Sequence, residues 1–100
     1  MFDLKNNSVE RLFKTVTEIN NVDDCRNFFE DLCTIKEIQD MAQRLDTAFL
    51  LDEGLSYQKI VEKIGASTAT ISRVNRCLLY GSGGYKNVIS AAKEKENDNK

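Results

Sequence analysis

Hydrophobic side chains recur every three or four residues along most of the chain, which is the spacing of a helix that buries one face. No stretch sustains the alternation typical of a half-buried strand, so we predict an all-α protein of six helices. The first three helices carry their apolar residues at Val9, Leu12, Phe13, Val16 and Ile19; at Val22, Cys25, Phe28, Phe29 and Leu32; and at Ile38, Met41, Ala42, Leu45, Ala48, Phe49 and Leu51. The last three carry them at Ile60, Val61 and Ile64; at Ile71, Val74 and Leu78; and at Tyr85, Val88, Ile89 and Ala92.

Capping residues indicate where several of these helices begin. Asn7 followed by Glu10 is typical of a helix N-terminus, and Thr34 followed by Glu37 forms a capping box for the third helix. Ser56 is the expected N-cap of the fourth helix.

The segment from Ser56 to Arg76 predicts a helix-turn-helix of about twenty residues. Its first helix is expected over residues 57–64 and its second over residues 68–79. Gly65 stands where the chain turns, and glycine adopts a positive φ without the steric cost that other residues meet. Apolar residues before and after the turn are then expected to pack against each other and hold the two short helices together.

The outer face of the second helix carries small, hydroxylic and basic side chains. Small residues let a helix approach the floor of a DNA groove, where methyl and hydroxyl groups contact base edges. The helix N-terminus also attracts a phosphate. The simpler alternative is that the Ser and Thr residues only cap the helix. We expect DNA contact, and the candidate DNA-binding residues are Tyr57, Gln58, Lys59, Lys63, Ser67, Thr68, Ala69, Thr70, Ser72, Arg73 and Arg76.

The distribution of charge supports this hypothesis. The 100 residues include 14 Lys and Arg and 16 Asp and Glu, a formal net charge of -2. Residues 1–55 carry six basic and twelve acidic side chains, net -6, whereas residues 56–88 carry five basic and one acidic, net +4. A basic segment on an acidic chain is typical of phosphate binding.

Composition excludes several other classes of function. Histidine is absent, and we find neither a glycine-rich phosphate loop nor metal-ligand spacing, so we expect no enzyme, no metal and no catalytic residue. No apolar run is long enough to span a membrane and no signal peptide is visible, so we expect a cytoplasmic protein. Cys25, Cys33 and Cys77 are widely spaced, and we expect buried thiols in a reducing compartment.

The sequence resembles the tryptophan repressor family, and within it the small bacterial subgroup of the YerC/YecD type. The strongest signature is the run from Ile64 to Arg73, IGASTATISR. Supporting pieces are FFEDLCT at residues 28–34, AQR at 42–44 and DEGLS at 52–56, and the similarity covers roughly residues 8–92.

The resemblance implies a six-helix fold with a helix-turn-helix, assembled as an intertwined homodimer that binds double-stranded DNA. We therefore expect a single domain over residues 1–92, with a helical dimerisation core at 1–55, the helix-turn-helix at 56–80, a C-terminal helix at 84–92 and a polar tail at 93–100. The implied function is a sequence-specific transcriptional repressor that binds a pseudo-palindromic operator. The alternative is a dimeric protein-interaction module that does not bind DNA.

The resemblance also implies a ligand pocket, because members of the family bind tryptophan as corepressor. Arg44 and Arg73 match the two arginines that flank tryptophan, and Thr34 matches a threonine at the pocket edge. Val74 replaces a glycine beside the ligand and Cys77 replaces a serine, so we expect that tryptophan is not the ligand and that the pocket is self-filled or takes another small-molecule effector.

Both arginines also have a simpler interpretation as partners in structural ion pairs. In that case Arg73 pairs with Asp46, and Arg44 pairs with Asp40 at helical spacing.

Overall fold

The computed structural model describes residues 6–98, which form six helices and no strand. The helices are α1 (Asn7–Glu18), α2 (Val22–Leu32), α3 (Ile35–Asp52), α4 (Tyr57–Ile64), α5 (Thr68–Tyr80) and α6 (Gly84–Asp98). The predicted all-α class and the number of helices are confirmed. Within the described residues, no helix combines the length and the hydrophobicity that crossing a membrane requires.

The chain divides into two compact units, Met1–Ile38 and Gln39–Lys100. The boundary between them lies inside α3. The reason is that the later part of α3 contributes Ala48 and Leu50 to the hydrophobic clusters of the second unit.

The first unit has capped helices but no buried residue in α1 or α2. The α1 N-cap is Asn6, one residue before the expected Asn7, and its side chain accepts from the Val9 N–H at 2.9 Å. Apolar side chains on these helices remain substantially exposed, Phe13 at 47% and Val22 at 70%. Within one copy of the chain, therefore, the hydrophobic faces of α1 and α2 are incompletely covered.

A capping box begins α3, as its sequence predicts. The Thr34 N–H donates to Glu37 Oε1 at 2.8 Å, and the Glu37 N–H donates to Thr34 Oγ1 at 3.1 Å. The hydrogen bonds from Thr34 lower the pKa of the exposed Glu37 carboxyl below its ordinary value. This contribution to stability is present above the unfolded-state pKa and is lost as the pH falls through the folded-state pKa.

The second unit contains two hydrophobic clusters, and α5 contributes to both. Ile71 lies with Leu50, Ile60 and Ala66 in one cluster. Val74, three residues further along α5, lies with Ala48 and Ile89 in the other. Since α5 packs against both α4 and α6, its buried edge is fixed over its first two turns.

The last helix extends further than expected. It continues to Asp98, whereas we predicted a helix ending at residue 92 and a polar tail. Lys93 of α6 forms an ion pair with Asp52 of α3, and this interaction raises the pKa of the Lys93 amine. The ion pair and the absence of Pro or Gly after Gly84 explain why the helix does not stop at residue 92.

The cysteines are less buried than expected. Cys25 and Cys33 are half-buried and Cys77 is exposed, and all three are free thiols. The expectation of buried thiols is therefore wrong for Cys77, whose side chain lies outside both hydrophobic clusters of the second unit.

Gly65 provides a direct test of the turn between α4 and α5. It adopts a left-handed conformation, with φ 69° and ψ 15°, and the space that a Cβ would occupy is open. We predict that Gly65→Ala lowers the free energy of unfolding by about 1 kcal/mol, purely because of the backbone conformation. Asparagine tolerates this conformation better, so Gly65→Asn should lose less. Urea unfolding at one protein concentration measures both variants, and a Gly65→Ala protein as stable as the wild type contradicts the prediction.

Candidate nucleic-acid interface

The α4–α5 unit comprises residues 56–80, two helices joined by a three-residue turn. The Ser56 hydroxyl caps α4 by accepting from the Lys59 N–H at 3.2 Å. Gly65 ends α4 in the left-handed conformation, and its N–H donates to the Val61 carbonyl at 2.9 Å. Ser67 then begins α5. The predicted helix bounds are observed, except that α5 ends one residue later, at Tyr80.

The structure leaves almost all the candidate DNA-binding side chains accessible. Thr70 alone among them is half-buried, and Tyr57 is 38% exposed. The other candidates are exposed: Tyr57, Gln58, Lys59, Lys63, Ser67, Thr68, Ala69, Ser72, Arg73 and Arg76. Because Ile71 and Val74 hold the opposite edge of α5 in the hydrophobic clusters, the exposed candidate side chains of α5 point away from the core.

Two hydroxyl groups at the start of α5 bond to each other. The Thr70 N–H donates to Ser67 Oγ at 3.1 Å, and the Ser67 hydroxyl donates to Thr70 Oγ1 at 3.0 Å. Ser67 is therefore the N-cap of α5, in agreement with the simpler alternative for at least this residue.

Four cations on the α4–α5 unit are exposed and have no acidic partner within residues 6–98: Lys59, Lys63, Arg73 and Arg76. The one acidic residue of the unit, Glu62, accepts from the Gln58 side chain at 3.4 Å. Neither an Arg73–Asp46 pair nor an Arg44–Asp40 pair occurs in the described part of the chain. The positive charge of the unit therefore remains available for an external anion.

The five residues of the candidate ligand pocket have different environments. The Thr34 hydroxyl is used in the capping box of α3. Arg44 is half-buried, Arg73 is exposed, and Val74 is only 1% exposed because it packs in the hydrophobic cluster. Cys77 borders a groove of about 540 Å³ that neither arginine nor Val74 lines.

This groove was missed from the sequence. It lies in the second unit, and its lining is predominantly apolar: Leu45, Cys77, Gly81, Ser82, Gly84, Tyr85 and Val88. Periodicity assigned Leu45 and Val88 to inward faces, but they are 41% and 51% exposed. The first unit has a smaller apolar groove of about 300 Å³, lined by Val22, Cys25, Arg26, Phe29 and Ile38. Among the described residues, no group of three or more Cys, Asp or Glu side chains is placed to hold a metal ion.

Comparisons with known proteins agree with this architecture. The family model for "Trp repressor protein" matches residues 7–93. An uncharacterized protein of Bacillus subtilis (strain 168), YerC, is 46% identical over 95 residues, which cover 95% of this chain and 91% of that protein.

Two solved structures are also similar. A TrpR-like protein from Eubacterium eligens ATCC 27750 superposes with a TM-score of 0.87 at 48% identity, over 90% of this chain and 93% of the other. A proposed Trp repressor from Staphylococcus aureus superposes with a TM-score of 0.86 at 39% identity, over 90% of each chain. The resemblance predicted from the sequence is confirmed, and so is the six-helix fold.

Proposed function

Because the chain belongs to the Trp repressor family, whose members are DNA-binding regulators and not enzymes, we propose that it is a sequence-specific repressor that binds double-stranded DNA as a homodimer. The observation that carries this proposal is the exposed face of α5, which is polar, cationic and free of acidic partners. The cytoplasm is its proposed location, since its proposed partner is chromosomal DNA.

Charge supports DNA over a protein partner. The central part of a protein–protein contact is usually depleted of charged residues. The α4–α5 unit instead carries cations with no intramolecular partner, which suits a phosphate backbone. The excess of acidic residues before residue 56 repels DNA, so it favours an approach through this unit.

The small and cationic side chains of the α4–α5 unit fit the helix-turn-helix mode of binding. The first turns of α5 carry small side chains at Ser67, Thr68 and Ala69, which let the helix enter the major groove. Lys59 and Lys63 lie one turn apart on α4 and supply cations for phosphates beside the groove. Two such units related by a two-fold axis would contact half-sites about 34 Å apart, and the bound dimer would block a promoter.

A second copy of the chain is the occupant we propose for the exposed apolar surfaces. The first unit has no buried residue in α1 or α2, although both helices have a marked apolar face. The second unit exposes Leu79, Tyr80 and Val88 and has an apolar groove. A 100-residue chain with so little buried surface gains stability by association, and a symmetric dimer covers the same surfaces on both copies.

The buried Val74 supports a pocket that the protein fills itself. Its side chain occupies the position where the family has a glycine against the corepressor, and it packs against Ala48 and Ile89. Any ligand there must displace packed apolar groups. We therefore propose that tryptophan is not an effector of this protein.

The dimer proposal predicts the behaviour of a variant on the apolar face of α1. Phe13→Lys places a charge on the surface that the second copy covers, so the dimer should dissociate to a monomer or an unfolded chain. Glu18→Gln, on the polar face, changes the net charge equally and should remain dimeric. Size-exclusion chromatography with light scattering measures the mass, and a wild-type mass of 11.4 kDa at micromolar concentration contradicts the proposal.

Thr68→Glu should abolish binding to a DNA site selected by the wild type. Residue 68 is the first residue of α5 and is exposed, so a carboxylate there leaves the core intact and suits the helix N-terminus. In the proposed complex, however, the DNA phosphates on both sides of the groove would repel this negative charge. Ser90→Glu on α6 is the control for net charge. A mobility-shift assay at fixed salt compares them, and retained binding by Thr68→Glu excludes α5 as the recognition helix.

Calorimetric titration with tryptophan should give no saturable heat for the wild-type protein. The physical reason is that the buried Val74 side chain stands where the family has a glycine beside the ligand and packs against Ala48 and Ile89. Arg73→Ala serves as the control for binding between the two arginines. Saturable heat in the wild type that disappears in Arg73→Ala would show that tryptophan is a ligand after all.

A further inference from the structure

Four hydroxyl side chains lie in the first part of α5 and at its cap, and the structure divides them into two pairs. The Ser67 hydroxyl donates to Thr70 Oγ1 and accepts from the Thr70 backbone N–H. The hydroxyls of Thr68 and Ser72 make no hydrogen bond within residues 6–98. The two pairs therefore differ in the capacity that remains for an external partner.

The positions of the residues on α5 also separate Thr70 from Thr68 and Ser72. Thr68 and Ser72 are four residues apart, so their side chains are neighbours on one exposed face of the helix. Thr70 projects toward a different side and is half-buried, directly before the fully buried Ile71. Only the first pair combines exposure with unused hydrogen-bonding capacity.

We propose that Thr68 and Ser72 are specificity-determining residues that contact base edges, whereas Ser67 and Thr70 are positioning residues that fix the first turn of α5. This inference rests on the proposed DNA-binding function. An unbonded hydroxyl donates to the major-groove acceptors of guanine, adenine or thymine and accepts from the amino groups of adenine or cytosine. The Ser67–Thr70 pair instead holds the backbone of α5 in the geometry from which those contacts are made.

The test begins with duplex DNA selected by the wild-type protein from a random library. Binding is then measured to the selected site and to each of its single-base-pair variants. Thr68→Val and Ser72→Ala remove the free hydroxyls, so each should reduce the preference at one or two adjacent base pairs by about fivefold or more. Preferences at the other positions should stay unchanged.

The positioning pair predicts a different profile. Ser67→Ala should weaken binding to the selected site and to all its variants by the same factor, up to about 30-fold, which corresponds to the loss of an N-cap. Thr70→Val keeps the backbone N–H that the cap uses and removes only the acceptor of the Ser67 hydroxyl, so it should weaken binding to all sites equally but by a smaller factor. Ser67→Thr keeps the cap and should restore the affinity. Circular dichroism at the assay temperature establishes that each variant is folded. If Ser67 and Thr70 only stabilised the fold, their substitution would lower the melting temperature without changing the affinity of the folded protein.

The outcomes separate the inference from the function on which it rests. A changed preference at a single base pair in Ser67→Ala or Thr70→Val overturns the inference, as does an unchanged profile in both Thr68→Val and Ser72→Ala. An unchanged affinity in folded Ser67→Ala and Thr70→Val also overturns it. If the wild-type protein enriches no DNA sequence, the proposed function itself is wrong and the inference is overturned with it.

Discussion

The burial of Ile71 and Val74 is the interaction on which the proposed interface depends. These residues lie three positions apart on one edge of α5, and each enters a different hydrophobic cluster. Together they fix both the position of α5 and its rotation about its own axis. The opposite face of the helix, with Ser72, Arg73 and Arg76, is then presented to solvent in a defined orientation. Without the burial of Ile71 and Val74, the exposed side chains of α5 would have no fixed orientation in which to contact a DNA groove.

The same small core is the reason why we propose association with a second copy. The buried residues of the described chain are concentrated between Thr47 and Ile89, and α1 and α2 contribute none. An amphipathic helix is stabilised mainly by burying its apolar face, and a single copy does this only incompletely for the first unit. Association would stabilise the first unit and would also set the distance between two α5 helices. In the proposed dimer, covering the apolar faces of α1 and α2 would therefore serve both folding and the recognition of a two-fold symmetric site.

Much of the fold could be predicted from the sequence, because its signals are local. Helical periodicity gave the six helices, and Gly65 and Ser56 gave the bounds of α4 to the residue. The end of α6 could not be predicted in this way, because the ion pair between Lys93 and Asp52 joins residues 41 positions apart. Periodicity also marked Leu45 and Val88 as inward, but it does not distinguish packing within one chain from packing against a second.

The exposure of the candidate interface could also be predicted in part. Residue type and spacing identified the exposed face of α5 and its cations. The sequence did not show that Ser67 and Thr70 form hydrogen bonds with each other. A hydroxyl in the first turn of a helix suits both capping and base contact, and only the distances between the oxygen and nitrogen atoms distinguish the two roles. The sequence showed that Val74 departs from the family pattern. The structure adds that this side chain packs against Ala48 and Ile89, which supports the proposal that the protein fills the pocket itself.

The central claim is that the unpaired cations of the α4–α5 unit bind the DNA backbone. The dependence of the affinity on salt concentration, measured by fluorescence anisotropy with a selected duplex, tests this claim most directly. Each neutralised phosphate contributes a slope of about -0.9 to the plot of log affinity against log salt concentration. With four such cations on each chain, the account predicts a slope steeper than about -3 for the wild-type protein. A slope near zero would contradict it.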